Sequence, residues 1–166
     1  MPEEMVPDSQ MCQVTGLNDA EKGCWHAFFQ ASRLLDKLSD LLKEWHGLAL
    51  FDFLVLDLLA KSDKGSARMS DLAEAFMLIP SRVTWQIRRL ESQGLVRRDP
   101  SPIDRRGVRA SITREGRTRA EAATTTYANG IRKHYLDQMT RQQLIALGDG
   151  CRRISAPLEG SNGRRE

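Results

Sequence analysis

The sequence predicts a mainly α-helical fold that carries one small β-hairpin. Along most of the chain, apolar residues return every three or four positions, which is the period of an amphipathic helix. Only the segment 95–113 alternates apolar with polar residues, on both sides of a connection that contains proline and glycine. A length of 166 residues, with 40% hydrophobic and 28% charged residues, is typical of one compact domain.

The N-terminal part predicts an arm followed by two helices. Residues 1–18 have no sustained apolar period, so we expect a flexible arm. Asn18 or Asp19 can cap a long helix over about 19–46, which Gly47 ends. The segment 49–60 is apolar nearly all round and predicts a central buried helix, and the polar run 61–66 closes it.

Two short helices joined by a tight turn are predicted next. Ser70 is the expected cap of the first, which buries apolar residues between 72 and 76. Pro80 suits the first position of the second helix, since proline is tolerated there. The second helix buries Val83, Ile87 and Leu90 and stops at Gly94, so its other faces remain available for contact.

The hairpin and two further helices complete the prediction. The strands are 95–99 and 109–113, and the connection between them forms a long basic tip. Thr113 is the expected cap of a helix that runs to about Gln138 and is weakened in the middle by Gly130. Thr140 begins a last helix that ends before Pro157, and residues 159–166 form a flexible tail.

Charge is distributed unevenly along the chain. Residues 79–117 contain ten arginines and four carboxylates, a formal excess of +6, whereas all other residues together carry −3. Such a block is typical of a surface that binds a polyanion, and arginine favours bidentate contacts with phosphates or base edges. The alternative is an arginine-rich surface that is merely solvated.

Helix, turn, helix and basic hairpin in this order are the parts of a winged helix-turn-helix. The segments MSDLAEAF, Pro80 to Gln93 and GLVRRDPSPIDRRGVRASIT closely resemble the MarR family of bacterial transcriptional regulators. That family's wing signature, D-x-R-x-x-x-[VA]-x-[LI]-T, is matched over residues 104–113 by Asp104, Arg106, Ala110, Ile112 and Thr113.

The resemblance implies one domain over 19–158, with the winged helix-turn-helix at about 49–113. It also implies a homodimer formed by helices at about 19–46 and 114–157. Apolar stripes on these N- and C-terminal helices agree with this, because they require a partner surface. The implied function is a regulator, in particular a repressor, that binds a palindromic operator in double-stranded DNA.

Candidate DNA contacts lie on the second short helix, at the start of the first and at the hairpin tip. Hydroxyls and arginines can reach phosphates or guanine edges. Trp85 has two open interpretations, contact with a thymine methyl or sugar and packing over the helix-turn-helix core. At the tip, the resemblance implies that Arg106 enters the minor groove and that Asp104 holds a neighbouring guanidinium. The complete set is Ser70, Ser81, Arg82, Thr84, Trp85, Arg88, Arg105 and Arg106, with Asp104 as the orienting residue.

A small aromatic or phenolic effector is the second partner that the resemblance implies. In the family such ligands enter a crevice between the dimer helices and the DNA-binding lobe. The candidate lining residues are Trp25, Phe28, Phe29, Asp52 and Phe53. The alternative is that these aromatic residues belong to the core or to the dimer interface.

Cysteine suggests a different regulatory signal. Cys24 lies near the start of the first helix, as in a hydroperoxide-sensing branch of the family, although it is one residue out of register with Arg33. A redox sensor and an inert buried thiol therefore both remain open. Cys24 and His26 have no third neighbour that would complete a metal site, and we expect neither a metal nor a cofactor.

Other function classes lack their motifs. The chain has none of the common phosphate-binding or hydrolytic signatures, so we expect no enzyme. It has neither a signal peptide nor a long apolar stretch, so we expect a cytoplasmic protein without membrane contact. A non-specific architectural nucleic-acid binder and a winged-helix module that docks proteins remain as alternatives.

Overall fold

The computed structural model describes residues 15–100 and 107–161, which fall into two compact units that divide after Arg33. The helices are α1 (Asp19–Ala31), α2 (Arg33–His46), α3 (Leu50–Lys61), α4 (Met69–Ala75), α5 (Pro80–Ser92), α6 (Arg114–His134) and α7 (Arg141–Ser161). The strands are β1 (Ser66–Arg68), β2 (Val96–Pro100) and β3 (Val108–Ile112). This is the mainly α-helical winged helix-turn-helix that the sequence predicts. None of the described helices is both long enough and apolar enough to span a membrane.

The first unit contains α1, which begins with a reciprocal cap. The Asn18 side chain accepts from the Glu21 amide at 3.0 Å, and the Glu21 carboxylate accepts from the Asn18 amide at 2.8 Å. The prediction of one long helix over about 19–46 is wrong, because α1 ends at Ala31 and α2 starts at Arg33. At the break, the Ser32 hydroxyl donates to the Phe29 carbonyl at 2.6 Å, a local side-chain bond that competes with helical backbone bonding.

The second unit is built around α3, as the sequence predicts. Its side chains Phe53, Val55, Leu56 and Leu59 are buried in one core with residues of α2, α4, α5, α6 and the sheet. Against α6, the Phe53 ring lies 4.9 Å from that of Tyr127, measured between centroids. Burial raises the pKa of the Tyr127 hydroxyl, and the negative charge of Asp57 raises it further.

Gly130 allows α2 and α6 to approach each other closely. A Cβ atom at this position would lie 2.7 Å from Leu38 Cδ2 and 3.3 Å from Leu41 Cδ1, both on α2. One turn earlier along α6, Thr126 Oγ1 lies 2.7 Å from Nε2 of His46. The glycine expected to weaken α6 therefore lies at a tight helix contact, and α6 continues through it to His134.

The sheet has three antiparallel strands in the order β1-β3-β2. Strand β1 was not predicted, because three residues are too few to show an alternating pattern. Ala67 of β1 pairs with Ala110 of β3, and both are buried. Because β1 leads directly into α4, that helix begins at Met69. The prediction that Ser70 caps the helix is therefore wrong, and Ser70 is a residue of its first turn.

The C-terminal helices also differ from the prediction. The Thr113 cap is confirmed by a 3.0 Å bond from the Gly116 amide. Helix α6 ends at His134 instead of near Gln138, and a 3-10 turn follows over Leu136–Gln138. Helix α7 does not end before Pro157 but continues through it to Ser161. Pro157 has no backbone N–H to donate to the carbonyl of Arg153. Since Arg153 is exposed, water can hydrate that carbonyl.

Candidate DNA interface

Helix α5 is the candidate recognition helix, and the turn before it sets its start. Met77 adopts a left-handed conformation with φ of 51°, Ile79 is extended, and Pro80 occupies the first turn. One face of α5 is buried through Val83, Gln86, Ile87 and Leu90. The three apolar residues confirm the predicted buried face, whereas the burial of Gln86 was not predicted.

The opposite face of α5 carries most of the candidate contacts. Ser81, Arg82, Trp85 and Arg88 are exposed, whereas Thr84 is partly buried and its hydroxyl donates to the Pro80 carbonyl at 2.9 Å. Within residues 15–100 and 107–161, neither Arg82 nor Arg88 forms an ion pair. Both arginines thus carry their charge on the exposed face of α5.

Trp85 lies on the outer face of α5. Its side chain is 63% exposed, so it does not lie flat over the helix-turn-helix core. The guanidinium carbon of Arg89, one turn later, lies 5.3 Å from the centroid of the indole ring. Of the two open interpretations of Trp85, packing over the core does not agree with this exposure, and contact with DNA stays a prediction.

Asp52, on α3, contacts the buried side of α5. It was predicted as a ligand-pocket residue. It is 1% exposed, and its carboxylate accepts from the Gln86 amide group and pairs with the Arg89 guanidinium. Its other oxygen accepts from the Ala49 amide at 3.1 Å, at the start of α3. The signal in the sequence was an aspartate in the first turn of a helix that is apolar nearly all round, since a buried charge requires a partner.

Several other arginines of the basic block have partners within the chain. Arg97 donates to Asp99 at 2.9 Å, and Arg98 donates to Glu91 at 2.7 Å. Arg109 donates to the Ser66 hydroxyl at 2.8 Å, and Arg117 donates to the Ala60 carbonyl at 3.0 Å. Carboxylates therefore offset the charges of Arg97 and Arg98, whereas Arg109 and Arg117 keep their charge and are fixed in place by neutral oxygens.

The pair of Arg97 and Asp99 lies on β2. The hydrogen bond from Arg97 is the largest cause that holds the pKa of Asp99 below its ordinary value, with a smaller contribution from Ser111. Asp99 therefore stays ionised at neutral pH and offsets the charge of Arg97.

The remaining candidates for DNA contact lie in α4 and at the hairpin tip. Ser70 is exposed, and its hydroxyl lies 3.2 Å from the Asp71 carboxylate. Asp104, Arg105 and Arg106 lie outside the described residues. The last three residues of the wing signature are Ala110 and Ile112 of β3 and the α6 cap Thr113.

The candidate ligand residues belong to both units. In the first, Trp25, Phe28 and Phe29 are exposed, and the rings of Trp25 and Phe28 lie 5.9 Å apart. In the second, Phe53 is part of the core and Asp52 is paired beneath α5. A pocket that joins these five residues stays a prediction.

Among the residues that the structure describes, the thiols of Cys24 and Cys151 are free and exposed. An inert buried thiol was one of the two interpretations of Cys24, and its exposure contradicts that interpretation. In the part of the chain that the structure describes, no three histidine, cysteine or acidic side chains are grouped so that they could hold a metal ion.

Comparison with known proteins identifies the family. The model of the MarR family matches residues 51–108. The crystal structure of AbsC, a MarR family transcriptional regulator from Streptomyces coelicolor, is 33% identical to this chain with a TM-score of 0.82. The match covers 87% of this chain and 97% of AbsC. The chain belongs to the MarR family. It is accordingly a transcriptional regulator of the winged helix class.

Two further relatives bear on how this MarR-family chain acts. Sco3205, a MarR family regulator from Streptomyces coelicolor whose crystal structure was solved in complex with DNA, is 30% identical with a TM-score of 0.82. The match covers 86% of this chain and 89% of Sco3205. MdtR, a transcriptional repressor from Bacillus subtilis, is 32% identical over 81 residues, which are 49% of this chain and 52% of MdtR.

Proposed function

We propose that this chain is a sequence-specific repressor that binds a palindromic operator as a homodimer and is released by a small aromatic or phenolic ligand. The observation that carries the proposal is the outer face of α5, where Arg82 and Arg88 are exposed and unpaired within the described chain. A helix of this kind fits the major groove, and arginine reads guanine edges there. The DNA complex of Sco3205 supports the same use of the fold.

Dimerisation is proposed from the apolar side chains of the terminal helices. On α7, Ile145, Leu147, Ile154 and Leu158 are exposed, and on α1 the aromatic residues Trp25, Phe28 and Phe29 are exposed. Large exposed apolar side chains on one helix are typical of a protein interface. A two-fold dimer would present two copies of α5 to half-sites whose centres are about 10 bp apart, one turn of B-DNA.

Repression and release are the finer parts of the proposal. The relative MdtR is a repressor, which supports the proposed sign of regulation. A ligand that prefers a dimer geometry incompatible with both half-sites would shift the population away from the DNA-binding state. The proposed ligand contacts are the exposed aromatic residues of α1, since stacking suits an aromatic effector.

The experiment is selection of bound sequences from a random duplex pool at about physiological salt, with the purified protein and Arg106→Ala as control. We expect an inverted repeat that binds about 10³-fold more tightly than random duplex. Arg106→Ala should weaken binding to many sequences alike and flatten its salt dependence, because Arg106 is proposed to contact the minor groove. Absence of an enriched motif would contradict the proposal and favour an architectural or protein-docking role.

Redox sensing by Cys24 is the second candidate, favoured by the exposure of its thiol. Oxidation of an accessible thiol adds polar atoms or a cross-link and can alter dimer geometry. Under this alternative, a modest excess of peroxide lowers operator affinity in the wild type and in Cys151→Ser, but not in Cys24→Ser. Cys151 is also exposed, which makes this a matched control, and unchanged wild-type affinity would exclude the alternative.

A further inference from the structure

A buried polar cluster connects α3 to the DNA-facing side of α5. It consists of Asp52 on α3 and of Gln86 and Arg89 on α5, and Arg89 in turn stacks on Trp85. The same helices pack through leucine, isoleucine, valine and phenylalanine, and the cluster adds directed polar bonds to these apolar contacts. These polar bonds between α3 and α5 can fix the orientation of α5.

One oxygen of Asp52 receives both donors from α5. Gln86 and Arg89 are three residues apart, so they lie on one face of the helix in successive turns. Two donors from successive turns on a single acceptor restrict both rotation of α5 about its axis and sliding along it. The acceptor is fixed as well, since the other Asp52 oxygen is bound to the first turn of α3.

Arg89 transmits this constraint to the surface. Its side chain is 34% exposed, in contrast to the freely exposed Arg88 beside it. Its Nε is buried and has no hydrogen-bond partner among the described residues, so the guanidinium is held chiefly by Asp52. The indole of Trp85, a proposed DNA contact, lies against this held guanidinium. The position of the indole thus depends on a carboxylate that is itself shielded from solvent.

We propose that Asp52 is a positioning residue for DNA reading: through Gln86 and Arg89 it sets the orientation of α5 and the placement of Trp85 against the base pairs. The inference rests on the proposed function, since it requires that α5 reads DNA. Arg89 in this arrangement is a support for Trp85 and not a phosphate contact. The consequence is that the cluster governs preference between sequences more than overall attraction to DNA.

The test measures the affinity of the wild type, Asp52→Asn and Arg89→Lys for the operator and for random duplex at one salt concentration. Thermal unfolding of each variant checks that it is folded. We expect the operator-to-random affinity ratio to fall about tenfold in both variants, as for one misread base pair, and random-duplex affinity to change less than about twofold. Asp57→Asn is the matched control, because it removes an α3 carboxylate whose partner is Lys61. This control should keep the wild-type ratio.

Two outcomes separate the proposed function from this inference. A wild-type ratio near one would overturn the proposed function and this inference with it, whereas a high ratio that both variants retain would overturn this inference alone. If Asp52→Asn fails to fold, Arg89→Lys alone decides, since it keeps the charge and loses the planar stacking surface. A double-mutant cycle tests the link to Trp85: Arg89→Lys should cost less in a Trp85→Ala background than in the wild type, and fully additive losses would contradict that link.

Discussion

Arg88 and Arg89 are consecutive residues of α5, but their side chains have different surroundings. Arg88 is exposed and forms no ion pair within residues 15–100 and 107–161, whereas Arg89 is bound to a buried carboxylate. Two residues that are equivalent in composition thus have separate proposed functions, one in contact with DNA and one in the support of a neighbouring side chain.

Substitution of Arg88 by lysine tests direct base reading. Lysine keeps the positive charge but loses the two-pronged geometry that matches guanine. If Arg88 reads a base, Arg88→Lys should weaken operator binding by about 1–3 kcal/mol and leave random-duplex binding nearly unchanged. Competition titrations with both duplexes measure this. Equal weakening on the two duplexes would instead assign Arg88 to the phosphate backbone.

At the scale of single elements, the junction between the sheet and α6 has little free space. Gly116 is buried in the first turn of α6, and a Cβ there would collide with the carbonyl oxygen of Leu95 and approach the Ile112 side chain. That carbonyl also accepts from the Thr113 amide at 3.0 Å, and Thr113 caps α6. The start of α6 therefore lies directly against the backbone of Leu95, the residue that precedes β2.

Gly116→Ala should lower the free energy of unfolding by about 1–3 kcal/mol, because the backbone must shift to accept the methyl group. Chemical denaturation followed by circular dichroism gives the value. Gly150→Ala on α7 is the matched control, since no described atom of the same chain lies within 4 Å of its added Cβ. We expect that control to be neutral or stabilising by up to about 1 kcal/mol. Unchanged stability of Gly116→Ala would contradict the tight junction.

Sequence reasoning predicted the elements whose signals are local and repeated. The buried face of α5, the cap at Thr113 and the proline at the start of α5 all follow from spacing or backbone chemistry that a few neighbouring residues determine. The break at Ser32 was missed, because serine is tolerated within helices and its bond to the Phe29 carbonyl is a matter of conformation.

Features that depend on distant partners were not predictable in the same way. Strand β1 exists through its pairing with β3, more than 40 residues away, and its three residues have no pattern of their own. The same holds for Asp52, whose charge was noticed but assigned to a ligand pocket, while the structure pairs it with Gln86 and Arg89. The sequence indicates which residues carry chemistry, and tertiary contacts determine which of them meet.

At the scale of the whole molecule, the proposed dimer predicts where a charge is tolerated. Ile154 on α7 is 54% exposed in the single chain, and Ile79 before α5 is 63% exposed. If α7 lies in the dimer interface, Ile154→Asp buries an unpaired carboxylate there and should raise the dimer dissociation constant about tenfold or more. Analytical ultracentrifugation measures this constant.

Ile79→Asp is the control for that measurement. It places the same charge on a residue of similar exposure outside the proposed interface, so the dimer dissociation constant should not change. A wild-type protein that sediments as a monomer would contradict the dimer itself. If both variants dissociate equally, the loss cannot be assigned to α7.

The central place of β3 in the sheet has a mechanical consequence. Its backbone is hydrogen-bonded on one edge to β1, which leads into α4, and on the other to β2, which follows α5. The side chains of Arg98 and Glu91 bind β2 to α5 in addition. The described strands of the hairpin are thus connected to both α4 and α5, so we expect them not to move independently of these helices. If β3 moves only together with α4 and α5, hydrogen exchange of its backbone amides should be slow along the whole strand.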